Sequence, residues 1–270
     1  MARVFITGST DGLSLAAARS LLADGHDVVL HARSGQRAGE LGAIRERASG
    51  VVIGDLASAH DVRRIADQVN AIGRMDAVIH NAGLYSVPER GSTPEGHATL
   101  LAVNTLAPYI LTALIERPDR LVYLSSGLHR GGEGSLDDLD WTTRPWDTAR
   151  AYAESKLHLL ALALAIAQDW PDVRSNAVDP GWVQTRMGGA SAPVDLDTGA
   201  RTQSWLAGSD DPAALTSGGY WHHQRRQEPA AEATDVRFQD ALLARLAALT
   251  GVRLTQTAPV GSTGGGAGPE

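Results

Sequence analysis

Tyr152 and Lys156 stand four residues apart within a strong helical pattern, so phenol and ammonium project from one helix face and can address a single ligand. A free tyrosine titrates near ~10, too high for proton transfer at neutral pH. A cation about 5 Å away, at an effective dielectric of roughly 20, contributes on the order of 3 kcal/mol. That lowers a phenol by about two pKa units, and the spacing therefore predicts an acid/base tyrosine. Ser125 and Ser126 end an apolar run that reads as a strand, which puts hydroxyls at the carboxyl edge of a sheet, where doubly wound folds bind ligands. The pair taken alone is equally a surface helix pair. Its company points to chemistry.

The first strand runs directly into Thr7-Gly8-Ser9-Thr10-Asp11-Gly12-Leu13-Ser14, and a helical pattern follows. Glycine at such a turn permits positive φ and a close approach of backbone to a pyrophosphate, which the helix N-terminus then meets with unpaired N–H groups. Gly8, Ser9, Thr10, Asp11, Gly12 and Leu13 are thus candidate cofactor-binding residues. Ser14 occupies the place of the usual third glycine, where its hydroxymethyl either crowds the helix–strand contact or donates to phosphate. NAD sites place an acidic residue about 20 positions after the turn to hold the ribose 2′-hydroxyl. Here that count reaches Ala32, Arg33 and Ser34, with no carboxylate and a guanidinium able to stack on adenine and pair with a 2′-phosphate. NADP(H) is therefore expected over NAD(H). Asp55, in Gly54-Asp55-Leu56, either accepts from the adenine amino group or caps the helix after it. Asn81-Ala82-Gly83 closes the fourth strand with residues small enough for an adenosine to pass.

These residues need a scaffold that alternates strand and helix. Short apolar runs predict strands over 3–7, 27–31, 51–54, 75–81, 120–125 and 173–179, with a weaker one at 219–221. Helical patterns fill 12–24, 35–48, 58–72, 96–116, 148–170, 196–207 and 236–249. The strands lack clean in/out alternation, as parallel strands covered on both faces should. The fold class expected is α/β, a doubly wound, mainly parallel seven-stranded sheet with helices on both faces. A long insertion spans 127–147, and a single domain over 1–255 carries a substrate-closing segment at about 186–215. The Gly-rich stretch 256–270 reads as a disordered tail.

Taken jointly, the motifs resemble the short-chain dehydrogenase/reductase family in its single-domain Rossmann form. They are TGxxxG at 7–12, NAG at 81–83, Asn104, Ser126, YxxxK at 152–156 and PGxVxT at 180–185. The resemblance implies hydride transfer between a nicotinamide and a carbonyl or alcohol carbon. It assigns Tyr152 as acid/base and Ser126, with Ser125 as substitute, as hydrogen-bond partner of the same oxygen. Lys156 is to hold the nicotinamide ribose and lower the phenol, and Asn104 to anchor a water relay. Pro180, Gly181, Val183 and Thr185 are to line the nicotinamide and phosphates. Pro108 supports Asn104 independently, because its missing N–H leaves the carbonyl of residue 104 without a helical partner. The long interval between Ser126 and Tyr152 is similar to the retinol-dehydrogenase-like branch, which leaves the substrate open. A regulatory protein that senses NADP(H) on the same fold, with little turnover, is the alternative.

Composition removes other classes. Net charge is −7, with no long basic run, so nucleic-acid binding is not expected. There is no cysteine, and His222-His223 lacks a third ligand nearby, so no metal site is expected. The N-terminus enters a strand at once and the longest apolar stretch is about half a bilayer span, which reads as a cytoplasmic chain. All six tryptophans follow residue 140; Trp141, Trp146 and Trp182 can build an apolar substrate pocket, with core packing the competing reading. The helices over 98–115 and after Tyr152 are apolar nearly all round, more than one sheet face requires, which points to a homodimer or homotetramer.

Overall fold

The structure, a computed structural model, describes residues 1–254. Its strands are β1 (Arg3–Ile6), β2 (Asp27–Ala32), β3 (Gly50–Ile53), β4 (Ala77–His80), β5 (Arg120–Leu124), β6 (Arg174–Asp179), β7 (Gly219–His222) and β8 (Arg225–Gln227). They form one sheet in the order β3-β2-β1-β4-β5-β6-β7-β8, parallel throughout except for the β7–β8 pair. The strand order reverses between β1 and β4, the switch point at which such sheets open a ligand crevice.

Ten helices complete the described residues: α1 (Gly12–Ala23), α2 (Gly35–Gly39), α3 (Ala43–Arg47), α4 (Ala59–Ile72), α5 (Thr99–Leu101), α6 (Ala107–Leu114), α7 (Thr148–Asp169), α8 (Leu196–Gly208), α9 (Ala231–Thr234) and α10 (Val236–Thr250). Alternate strand residues feed opposite faces, which is why the strands read as unbroken apolar runs. Val4, Ile6, Val28, Leu30, Ile79 and Leu124 bury against α1, α3 and α8. Phe5, Val29, Val78, Leu121 and Tyr123 bury against α4, α6 and α7 on the other side.

Three elements depart from the sequence expectation. The eighth strand has no apolar residue and is exposed throughout, so it carries no pattern to read. Its hairpin turn places His223 and Gln224 at φ of 47° and 60°, a conformation usually signalled by Asn-Gly. The helix expected over 35–48 breaks into α2 and α3 around Gly42, whose φ is +57°. The helix expected over 96–116 begins at Thr99 and contains a π-helical turn over Ala102–Leu106, where Ala107 N–H bonds the Ala102 carbonyl. Pro108 follows directly, so its missing N–H is absorbed as a bulge. The expected tail over 256–270 lies outside the described residues. No helix among the described residues is long and apolar enough to cross a membrane.

The insertion is a structural brace. After a 3-10 turn over Gly127–Gly131, it delivers Arg144 as a fork onto both carboxylate oxygens of Glu154 at 2.7 and 2.5 Å. The guanidinium also lies 3.7 Å over the Trp141 ring, whose Nε1 donates to Glu154 at 3.1 Å. The long helix α7 is thereby tied down from the side of its first turns. Every residue of α7 from Ala151 to Ile166 is buried. Its apolar surplus, which pointed to a second subunit, is met inside the chain by Ala233 of α9 and by Leu242 and Leu246 of α10, which share its core cluster. That surplus needs no partner to cover it.

His158, on α7, is buried with neither ring nitrogen partnered, and Phe238 of α10 packs near its ring. Burial, with a smaller contribution from Arg144, lowers its pKa from 6.5 to about 4. Above 6.5 the imidazole is neutral folded or unfolded; between 6.5 and about 4 only the unfolded chain takes the proton, so stability is lost as pH is lowered through this range. His158→Leu is expected to remove about 1.4 kcal/mol per pH unit from that slope. Urea midpoints measured across this range check it.

Candidate active site

The first βα turn forms a tight cradle. Gly8 has φ +70°, and a Cβ there would lie 3.0 Å from the Ala82 side chain, so the turn and the end of β4 approach as only glycine allows. Gly12, at φ +56°, opens α1, whose first-turn N–H groups have no partner within the helix. Thr7 Oγ1 accepts the amides of Asn81 and Ala82, each at 3.0 Å, and locks the two turns together. Ser14 takes neither role considered for it: its hydroxyl donates back to the Gly8 carbonyl at 2.5 Å and to Asp11 at 3.1 Å. Ser9 is buried, bonded to Ile6 and His31 backbone, and supports the turn from beneath.

His31, unmarked by any sequence signal, completes the cradle. Its Nδ1 accepts the Gly8 N–H at 2.8 Å, so Nε2 carries the proton and donates to the Gly54 carbonyl at 2.9 Å. One neutral ring thus joins β1, β2 and β3 at their carboxyl ends. Burial lowers its pKa, against smaller raising effects of Gly54 and Asp55.

At the end of β2, exposed Arg33 and half-buried Arg37 both line the cleft. Arg37, missed in the sequence because it lies one helical turn past the expected position, is held by Asp11 at 2.7 Å and Thr10 at 3.1 Å. Ser34 instead caps α2, accepting the Arg37 N–H at 3.3 Å, and does not line the cleft. Asp55 does not cap α4: Ser58 accepts the Asp61 N–H at 3.3 Å and does so. Asp55 Oδ1 accepts from Ala57 at 2.9 Å, and the residue lines the cleft beside Leu56.

At the other end α7 presents Tyr152 and Lys156. Lys156 is buried and its Nζ donates to the Leu124 carbonyl at 2.7 Å, 5.5 Å from the Tyr152 ring centre. Ser125 lines the cleft but donates its hydroxyl to the Lys156 carbonyl at 2.9 Å, whereas Ser126 does not line it. Ser126 accepts the Leu128 N–H at 3.2 Å and stands near enough to the Tyr152 phenol to favour its ionised form. Asn104 fixes the loop after Gly83, accepting Leu84 N–H at 2.7 Å and donating to the Leu84 carbonyl at 2.9 Å and Ser155 at 3.0 Å. A Cβ on Gly83 would stand 3.3 Å from Lys156 Nζ and 3.4 Å from Asn104 Oδ1.

The expected lowering of the phenol is reversed in the chain alone. Burial pushes Tyr152 up to about 12, with Asp179 and Tyr85 adding to the rise and Ser126 opposing it. Burial likewise drops Lys156 to about 8. Spacing placed the pair on one face, but the sequence carried no measure of how completely α7 is covered.

A cleft of about 690 Å³ joins these ends, within the roughly 300–1,000 Å³ usual for ligand sites. Of the remaining expected residues, Thr10, Leu13, Pro180 and Thr185 line it, while Gly181 and Val183 do not. Val183 packs inward against Gly199, and Gly181 turns at φ +81°. Leu84, Thr99, Val103, Arg186 and Met187 line it without having been anticipated, being ordinary residues until the loops converge. The fit to a dinucleotide rests on the positive-φ glycine cradle and on Asn81 Oδ1, buried in this cleft with no partner. Among the described residues no group of three or more metal-ligating side chains is placed to hold an ion.

Crevice, cradle and serine–tyrosine–lysine grouping define a dinucleotide-dependent oxidoreductase of the doubly wound class. A family model described as enoyl-(acyl carrier protein) reductase matches residues 8–209. The short-chain dehydrogenase chry4 of Gibberella zeae is 40% identical over 257 residues, covering 94% of this chain and 99% of the relative. Human retinol dehydrogenase 13 is 27% identical, over 92% of this chain and 84% of its own. Among solved structures, a Mycobacterium paratuberculosis protein superposes with a TM-score of 0.81 at 27% identity, covering 94% and 95% of the two chains. A Burkholderia cenocepacia short-chain dehydrogenase in complex with NADP gives 0.64 at 24% identity, covering 82% and 95%. The chain belongs to the short-chain dehydrogenase/reductase family, in its retinol-dehydrogenase-like branch.

His31→Leu removes the acceptor of the Gly8 amide and is expected to raise the dissociation constant for a nicotinamide dinucleotide about tenfold, the equivalent of one net hydrogen bond. Quenching of protein fluorescence on titration with the dinucleotide measures it.

Proposed function

We propose that the protein is an NADP(H)-dependent oxidoreductase that moves a hydride between nicotinamide and the carbonyl or alcohol carbon of a small, largely apolar substrate, with Tyr152 as acid/base. The observation that carries this reading is the Tyr152–Lys156 pair, both buried on one face of α7, at one end of a cleft whose other end is a glycine cradle. The nicotinamide, when bound, supplies or takes the hydride.

The chain's own residues account for the rest. In reduction, the Tyr152 hydroxyl gives its proton to the carbonyl oxygen while Ser126 donates a second hydrogen bond to that oxygen; in oxidation, the tyrosinate takes the proton back. Lys156 turns its remaining donors toward the cleft and stabilises the tyrosinate. To the main-chain carbonyl of Asn104, denied the N–H that Pro108 lacks, we assign a relay water serving Lys156. Arg33 favours a 2′-phosphate, the segment from 33 to 37 carrying no carboxylate, and Arg37, paired to Asp11, lines the same cleft. The NADP complex of the Burkholderia relative supports the cofactor class. Exposed Leu128, Trp182 and Met187, 55%, 58% and 44% accessible, support an apolar substrate body.

NADPH oxidation over a panel of aldehydes and ketones tests this. Tyr152→Phe is expected to lose at least about a thousandfold in kcat/KM while NADPH still binds, since the variant lacks only the transferable proton. Arg33→Ala is expected to raise KM for NADPH about tenfold or more and to leave KM for NADH within about twofold. Turnover unchanged in Tyr152→Phe would remove the mechanism.

A further inference from the structure

Next to Ser126 stands a carboxylate that the proposed reaction does not use. Asp179 ends β6, and its Oδ1 accepts the Gly181 N–H at 2.9 Å, closing the Asp-Pro-Gly turn. Its Oδ2 faces elsewhere. His222 Nδ1 lies 3.5 Å from Oδ2 and 3.2 Å from the Asp179 main-chain carbonyl, and buried Tyr220 feels the charge of the same side chain. Gly127, exposed and immediately after Ser126, would place a Cβ 3.1 Å from Oδ2. Any larger residue there would cover the carboxylate; glycine leaves it open beside the catalytic serine.

His223 and Gln224 both hold positive φ, a conformation that residues with a Cβ rarely adopt, and the turn fixes the His222 ring, stacked 4.0 Å from His223, against Asp179. An ionised carboxylate accepts about four hydrogen bonds, and the Gly181 amide takes one of them at Oδ1 while His222 bonds the main-chain carbonyl. Oδ2 keeps acceptor capacity on the side of Gly127.

We propose that Asp179 determines substrate specificity: its Oδ2 accepts a hydrogen bond from a hydroxyl group that the substrate carries close to its reacting carbonyl. The inference rests on the reductase reading and refines its substrate class to an apolar body bearing a hydroxyl near the ketone or aldehyde. A neutral donor is favoured over an ammonium because Arg130 acts on the same cluster and Lys156 lies across the site, both repelling a cation, and because an ammonium loses more on leaving water. A substrate lacking the hydroxyl leaves a partly buried acceptor unpaired, the situation in which enzymes discriminate most strongly.

The test compares phenyl ketones bearing a hydroxyl one, two or three carbons from the carbonyl with their parent ketones, under NADPH. At least one hydroxylated member is expected to exceed its parent about tenfold in kcat/KM. In Asp179→Asn, which keeps Oδ1 for the Gly181 turn, the ratio is expected to fall toward one. Gly127→Ala, which covers the carboxylate without removing it, is expected to collapse the same ratio; NADPH binding by both variants shows that they are folded. Wild-type turnover with no discrimination, or a preference that persists in both variants, overturns the specificity role and leaves the reductase reading standing. Failure of the wild-type protein to reduce any member overturns both.

Discussion

The arrangement of the site depends on burying a lysine. Lys156 sits in the interior of α7 at 4% exposure, and among the described residues its Nζ has a single acceptor, the carbonyl of Leu124. An ammonium has three donors and is costly to desolvate. The chain supports it with a carbonyl from the end of β5 and leaves its other donors facing a cleft that glycine at 83 keeps clear. Everything that fixes α7 therefore fixes the chemistry: the Arg144–Glu154 fork, the Asp147 cap, and the cover of α9 and α10 over the helix's outer face. A loosely held α7 would let water reach Lys156 and erase the tension that a ligand relieves.

The same logic organises the dinucleotide end with uncharged groups. Thr7, Ser9, Ser14 and His31 all turn their polar atoms onto main-chain groups of the turns around β1, β2 and β4. None of these four is spent on solvent, and together they satisfy backbone donors and acceptors that sharp turns would otherwise strand. Charge is kept to the rim, where Arg37 and Arg186 both reach Asp11. The rim is consequently where salt and cofactor phosphate compete, while the cradle beneath is held by short, buried hydrogen bonds.

The sheet was legible in the sequence because parallel strands covered on both faces must be apolar throughout, and the Tyr152–Lys156 pair because four-residue spacing puts two side chains on one helix face. What escaped notice shares one property: its meaning arises only from contacts between distant segments. His31 looks like a stray polar residue in a strand until it is seen bridging Gly8 and Gly54. The strand Arg225–Gln227 is charged and exposed, with nothing apolar to mark it. The apolar surplus of α7 was read correctly as needing cover, but periodicity does not say whether the cover comes from another subunit or from a helix eighty residues downstream. The phenol's shift was read with the wrong sign for a related reason: spacing reports the neighbouring cation, whereas burial, the larger effect, is a property of the whole packed helix.

That reversal bears on proton transfer. With its pKa held at about 12, the Tyr152 phenol of the chain alone keeps its proton throughout the neutral range. Its lysine neighbour, lowered to about 8, remains mostly charged there. A protonated phenol is the state from which carbonyl reduction starts; giving up that proton, in either direction of reaction, works against both burial and the Asp179 charge. Placing a carboxylate beside the phenol therefore acts twice. It offers an acceptor at the substrate side of the site, and it disfavours the tyrosinate until a proton has somewhere to go. Burial and that charge keep the unliganded phenol protonated, and its release of that proton depends on stabilising the tyrosinate, which is the part Lys156 can play.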